Sequence, residues 1–240
     1  MAELKRFFVD SVGDTAELTG EEFEHAKNVL RLSVGAEVVL LDNSGKEYTA
    51  VVTSVDKRKM ALNIVREEVG TREAETDICL LFGYLKNADK NEFIVQKAVE
   101  LGVNEIGVFT SEFSSAYINE NKLERLNRVA KEAAKQCLRS RAPIVKYYAD
   151  FSSALVATDG YQNKIFACEF AEKSDLELGK ISGSTALIVG SEGGFSRAEA
   201  EQAIESGCKQ VTLGKRILRA ETAAVALTAV VAYALGEWQR

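Results

Sequence analysis

A single histidine, His25, stands in 240 residues, so a histidine-based metal cluster or a serine-protease type of triad has nothing to build on. The four cysteines, Cys79, Cys137, Cys168 and Cys208, lie far apart and form no Cys-x-x-Cys pair. That spacing argues against a zinc site or a disulfide framework. Long apolar runs are missing too. The longest uncharged one, Thr222–Gly236, is closed by Glu221 and Glu237 and falls short of the ~20 residues that cross a bilayer. The amino-terminal stretch MAELKRFFVD mixes charge into its apolar residues and does not read as a signal peptide, so no membrane partner is expected and the cytoplasm is the expected compartment. Positive charge is not in excess either. The net charge is −6, so any contact with a polyanion must come from local patches and not from the field of the whole molecule.

What is present is the composition of a globular protein with a substantial core, 46% hydrophobic and 28% charged, at a length that allows two domains. Residues 1–70 alternate short β patterns with turn signals. Strands are expected at Arg6–Val9, Glu37–Leu41, Tyr48–Val55 and Ala61–Val65, with a short helix over Gly20–Leu30 and turns at Asp42–Gly45 and Asp56–Lys59. Closely spaced strands of this kind suggest a small β-barrel. The charged stretch Arg66–Asp77 is the candidate linker. From Ile78 the period changes. Ile78–Tyr84 is a continuous apolar run, as for a strand covered on both faces. Strands at Glu105–Thr110, Lys164–Cys168, Thr185–Val189 and Gln210–Leu213 then alternate with helices at Asn91–Leu101, Asn121–Leu138 and Ser196–Ser206. The alternation indicates an α/β domain with a largely parallel sheet over 71–240. The last helix, Glu221–Trp238, is apolar nearly all round and must be covered, either within the core or by a second copy of the chain.

Two loops follow strands and so stand where open α/β sheets bind ligands. The first, Ile188-Val189-Gly190-Ser191-Glu192-Gly193-Gly194-Phe195, has three glycines that let backbone approach a ligand closely. It lacks the Gly-Lys-Ser/Thr ending of a phosphate loop, and Ser196 with Glu199 makes a capping box that would use the amides a phosphate needs. The second is Leu213–Thr222, in which Glu221 suits a helix N-terminus and Arg219 could pair with a carboxylate or face an anionic substrate. On the long helix, Arg128, Lys131, Lys135 and Arg139 share one face. Across Lys122–Arg141 seven basic residues stand against two acidic ones, which is either a solvated face or a phosphate-backbone contact.

These segments, taken in order, resemble the bacterial 16S ribosomal RNA uridine-N3 methyltransferases, a branch of the SPOUT superfamily. The resemblance runs from Arg6-Phe7-Phe8 to about Leu227. It is carried by His25-Ala26-Lys27-Asn28-Val29-Leu30-Arg31, Gln96-Lys97-Ala98-Val99-Glu100-Leu101-Gly102-Val103, Glu132-Ala133-Ala134-Lys135-Gln136 with Arg139, Gly190–Phe195 and Leu213–Ala223. Departures are Ser191 for a usual proline, Phe113 for a common arginine, Cys137 for serine and Leu126 for tryptophan.

The resemblance implies a PUA-like, RNA-binding β-barrel over 1–70 and a trefoil-knotted SPOUT methyltransferase domain over 71–240. It implies S-adenosylmethionine as cofactor, held by the loops that map onto Ile188, Gly190, Glu192, Gly193, Gly194, Leu213, Gly214, Ile217, Leu218 and Arg219. It also implies a homodimer through the C-terminal helix and a uridine of the decoding region of 16S rRNA as substrate, within the small ribosomal subunit. On this reading Arg219 and Glu221 are the expected catalytic residues. Arg6, His25, Arg31, Arg128, Lys131, Lys135 and Arg139 are expected on RNA, and no metal is required. The alternatives are a SPOUT enzyme acting on transfer RNA or another ribosomal position, and a non-catalytic RNA-binding assembly factor.

Overall fold

The computed structural model describes residues 4–171, 173, 174, 177 and 180–239, so Met1–Glu3 of the stretch read against a signal peptide lie outside the described residues. The chain divides into two compact units. The first comprises the residues up to Glu73 together with Ala134–Ala142, the second Ala74–Ala133 with Pro143 onward.

The first unit is built on five strands: β1 (Lys5–Phe8), β2 (Thr15–Leu18), β3 (Glu37–Leu41), β4 (Lys46–Val55) and β5 (Met60–Val69). They lie in the order β1-β3-β4-β5-β2, with β1 parallel to β3 and the other pairs antiparallel. Alternation along β4 turns Tyr48, Ala50 and Val52 onto a core with Phe7, Leu18, Phe23, Leu40, Met60 and Leu62. Two sequence expectations need correction. β2 was not foreseen, because four residues at a sheet edge carry little pattern. The expected linker begins inside β5, whose polar end pairs residue by residue with β4, Arg66 against Thr49 and Val69 against Lys46. A ladder is held by backbone groups, so charged side chains do not end it; Lys46 Nζ sits 2.6 Å from Glu67 on the facing strand.

The expected helix over Gly20–Leu30 is α1 (Gly20–Glu24) running into a π-helical turn, His25–Val29. Leu30 N–H donates to the His25 carbonyl and Leu32 N–H to that of Ala26, which closes the turn. Arg31 sits between them at φ +54°. For a residue with a Cβ that conformation costs about 1–2 kcal/mol.

Glu73 organises the far end of this unit. Its carboxylate accepts hydrogen bonds from Arg139 Nε (3.1 Å) and Nη2 (2.8 Å), from Ser140 N–H (2.8 Å) and Oγ (3.1 Å), and from Arg141 N–H (2.9 Å). Burial pushes the Glu73 carboxyl up, but the Arg139 charge and these donors outweigh it and hold it below the ordinary value.

Among the described residues of the second unit six strands are all parallel, in the order β11-β9-β10-β6-β7-β8. They are β6 (Ile78–Gly83), β7 (Glu105–Phe109), β8 (Val145–Tyr148), β9 (Asn163–Ala167), β10 (Thr185–Val189) and β11 (Lys209–Val211). Every residue of β6 and of β10 is buried, as continuous apolar runs require between two helical layers. The helices are α2 (Ala88–Glu100), α3 (Glu120–Gln136, its last three residues in the first unit), α4 (Phe151–Val156), α5 (Arg197–Glu205) and α6 (Ala220–Ala234). The sequence showed neither β8, a half-exposed edge strand, nor α4, whose six residues begin at an Asp150 cap that accepts from Ser153 N–H at 2.7 Å. The capping box expected at Ser196 and Glu199 is present in both its halves. Beneath the carboxyl ends of the strands, Phe109, Phe151, Phe166 and Phe195 pack together, with Phe195 4.5 Å from Phe166 and 5.0 Å from Phe151 between ring centroids. No helix among the described residues is long and apolar enough to cross a membrane.

Candidate active site

β9, β10 and β11 end side by side, at Ala167, Val189 and Val211, and all three end residues line one cavity of about 850 Å³. Its walls are the two loops singled out in the sequence. Gly190, Ser191, Glu192, Gly193 and Gly194 follow β10, and Leu213 through Arg219 connect β11 to α6. Of the ten residues expected on a cofactor, Gly190, Glu192, Gly193, Gly194, Leu213, Gly214, Ile217, Leu218 and Arg219 therefore come together. Ile188 does not line the cavity; it is fully buried in the core below, beside Phe166 and Phe195.

The first loop is folded as a tight turn in which Gly194 N–H donates to the Ser191 carbonyl at 3.0 Å. Its glycines are required. Gly194 has φ +68°, and a Cβ on Gly193 would meet the Phe113 backbone oxygen at 2.7 Å. A Cβ on Gly190 would meet the Phe195 ring at 2.9 Å, so the aromatic core sits directly under the turn. Glu192 is fixed by the Lys86 N–H, which lies 3.1 Å from its Oε1 and 3.3 Å from its Oε2. In the second loop Gly214 takes φ +97°, and a Cβ there would meet no protein atom within 4 Å. Ile217, 98% exposed, holds a large apolar side chain out at the rim.

Glu221 lies in the first turn of α6 and also lines the cavity. Its Oε1 is 2.9 Å from the Lys90 ammonium of α2, a residue the sequence reading missed, since nothing local marks two positions so far apart as a pair. Its Oε2 is buried and has no hydrogen-bond partner. Burial pushes the Glu221 carboxyl up, but Lys90, its own amide and the nearby Arg219 charge more than offset this and hold it below the ordinary value. At neutral pH it is a charged acceptor and a weak base. Arg219 is the cap residue of α6, exposed, with no side-chain capping bond. Lys215 and Arg216 of the second loop also line the cavity, and Glu169 and Thr212 do so without having been foreseen.

The residues expected on RNA are placed unevenly. His25 opens the π-helical turn with its ring edge-on to Phe7, and Arg31 closes it, exposed. Arg128 and Lys131 lie on α3. Three others stand beside a carboxylate of the first unit. Arg6 Nη2 is 2.6 Å from Glu47, Lys135 Nζ is 3.1 Å from Glu22, and Arg139, 3% exposed, is bound to Glu73.

A glycine-bearing cavity at the ends of parallel strands, with a charged helix start at its mouth, defines an α/β enzyme domain that takes a small ligand. Comparison with known proteins makes this specific. Residues 72–232 match the RNA methyltransferase domain family, and residues 18–65 match the PUA domain of RNA methyltransferases. The chain is 30% identical to the ribosomal RNA small subunit methyltransferase E of Bacillus subtilis, over 96% of each. The structure of the enzyme of that name from Neisseria gonorrhoeae, bound to S-adenosylmethionine, superposes with a TM-score of 0.83 at 31% identity, covering 97% of this chain and 98% of that one. A Legionella pneumophila protein solved with the same cofactor gives 0.86 at 27% identity, over 97% and 98%. The chain belongs to the ribosomal RNA small subunit methyltransferase E family of RNA methyltransferases. Its fold is accordingly a SPOUT-type α/β domain with a PUA-like domain ahead of it.

Proposed function

We propose that this protein transfers the methyl group of S-adenosylmethionine to N3 of a uridine in the decoding region of 16S rRNA. The observation that carries the reading is the meeting of both sequence-marked loops, with Arg219 and Glu221, around one cavity at the ends of β9, β10 and β11. The residues present fit the cofactor. About 850 Å³ suffices for a nucleoside bearing an amino-acid arm. Val189, Leu213, Ile217 and Leu218 offer apolar surface to an adenine ring, while the Gly190–Gly194 turn and the open side of Gly214 let backbone groups reach polar atoms. Glu169 and Glu192 suit a cationic ligand.

When bound, the cofactor supplies a methyl group already activated on a sulfonium, so the protein's work is alignment and charge. Uracil N3 loses its proton to water and takes the methyl carbon, and the carbon–sulfur bond breaks with its electron pair going to sulfur. The difficult part is the negative charge that develops on the imide. Arg219 meets it with a guanidinium at the cavity mouth. Glu221, charged and weakly basic, orients the cations around it and does not take the proton. His25 and Arg31 of residues 1–70, with Arg128 and Lys131, orient the RNA within the small subunit, and the strained Arg31 backbone supports that role. Residues 71–240 form the methyltransferase domain. A second copy covers the exposed Val230, Tyr233 and Trp238 at the end of the chain, making the cytoplasmic protein a homodimer.

The test is methyl transfer from labelled S-adenosylmethionine to small subunits lacking the modification, followed by identification of the nucleoside. N3-methyluridine at one decoding-region position is the expected product, with Arg219→Ala at least tenfold slower. Another methylated nucleoside, or Arg219→Ala within tenfold of the parent, refutes the corresponding part.

A further inference from the structure

Removing the N3 proton of uracil spreads negative charge over both flanking carbonyl oxygens. One cation can serve one side; the other side needs a second donor. Among the described residues the cavity offers four cations, Lys90, Lys215, Arg216 and Arg219. The last three are exposed on the loop before α6. Lys90 differs. It stands in the first turn of the 13-residue α2, only partly exposed, with its ammonium 2.9 Å from Glu221. A donor already held in place costs no reorganisation when charge develops, which is the condition for effective stabilisation. The helix around it is fixed as well. The Asn87 side chain caps it, accepting from Asp89 N–H at 2.9 Å, and fully buried Asn91 bridges both backbone groups of Leu85 at 2.9 Å. Among the described residues the other lining carboxylates have different neighbours, Glu192 the Lys86 amide and Glu169 the Phe195 amide, and Glu221 is the one set against Lys90.

We propose that Lys90 is a catalytic residue of the methyl transfer. Its ammonium donates a hydrogen bond to one carbonyl oxygen beside N3 while Arg219 faces the other, and Glu221 is the residue that positions it. A lysine spent purely on holding α2 against α6 would affect folding and cofactor binding alike, whereas this role affects the chemical step. The inference rests on the uridine-N3 reading.

The experiment measures single-turnover methylation of undermodified small subunits, with the product identified, and S-adenosylmethionine affinity by calorimetry. Lys90→Met is expected to lower the single-turnover rate about 100-fold with cofactor affinity within threefold of the parent. Its rate should also climb more steeply with pH than the parent's, since uracil must then ionise unaided. Lys90→Arg should recover most of the rate, and Glu221→Gln should lose about tenfold through looser placement of the ammonium. A Lys90→Met rate within threefold of the parent overturns the proposal. So does a loss matched by equal loss of cofactor affinity and not recovered by Lys90→Arg, which would make the pair part of the cofactor cradle. A parent that makes a different methylated nucleoside overturns the uridine-N3 reading, and Lys90's role with it; failure of the variants alone leaves that reading standing.

Discussion

Phe195 joins the core to the cavity, and replacing it with alanine should damage both in measurable proportion. The ring is 1% exposed and packs on Phe109, Phe151 and Phe166 below, while its upper edge lies where a Gly190 side chain would be. Losing the buried ring forfeits about 2 kcal/mol of transfer energy. An unfilled space of about 80 Å³, at ~24 cal/mol per Å³, adds about 2 kcal/mol more. The sum, about 4 kcal/mol, lies within the range for buried phenylalanine truncations. The turn from Ser191 to Gly194 would then lose the surface beneath it, so S-adenosylmethionine affinity should fall at least tenfold even at temperatures where the variant is folded. Urea denaturation gives the first quantity and calorimetric titration of the folded variant the second. Phe195→Leu, which keeps most of the volume, should cost less than half as much and bind the cofactor nearly normally. A loss of stability below 1 kcal/mol in Phe195→Ala, or unchanged cofactor affinity, would refute the idea that the aromatic cluster supports the turn.

Two further expectations concern charge and thiols. Glu73→Gln should destabilise the chain by about 3 kcal/mol at pH 7, because buried Arg139 loses the counter-charge that this carboxylate supplies. Glu73 is held below its ordinary 4.5 in the folded protein, so its contribution is full above that value and declines as the pH falls through the lower folded one. The gap between parent and variant in urea denaturation should therefore stay level from pH 7 to about 5 and close below 4.5. A gap that widens toward acid would contradict the assignment. Among the cysteines, burial pushes Cys79 up to about 12 and Cys208 up to about 11, and Cys168 is raised too. Iodoacetamide at pH 8 should thus label the half-buried Cys137 first, and mass spectrometry that finds Cys79 or Cys208 modified earlier would contradict this.

The buried strand at Ile78 and the cavity loops were legible because each has a local signature, whereas nothing local shows that Ala134–Ala142 groups with the first unit. Ile78–Gly83 is apolar without interruption, and the glycines of residues 190–194 and the Ser196–Glu199 box lie within a few positions of one another. What escaped notice depends on partners distant in the chain. Thr15–Leu18 and Val145–Tyr148 are strands because a neighbouring edge pairs with them, and Arg66–Val69 extends β5 because β4 continues opposite. Helical spacing put Arg128, Lys131, Lys135 and Arg139 on one face, yet spacing says nothing of Glu22 and Glu73, which take up two of those charges. The Lys90–Glu221 pair was hidden for the same reason. Both residues look like ordinary first-turn charges until α2 and α6 come together.

The order of the parallel sheet also sets a schedule for synthesis. β6 can pair with β7 almost as soon as both are made, but its other neighbour, β10, is encoded about 100 residues later, a separation that makes such contacts slow to close. Every residue around the cavity except Lys90 belongs to the final third of the chain. A nascent chain interrupted before Leu213 can hold a partial sheet and still have no place for a ligand. The binding site is completed late in synthesis, and a ligand that binds there acts as a late clamp on a fold whose first strands have waited for their partners.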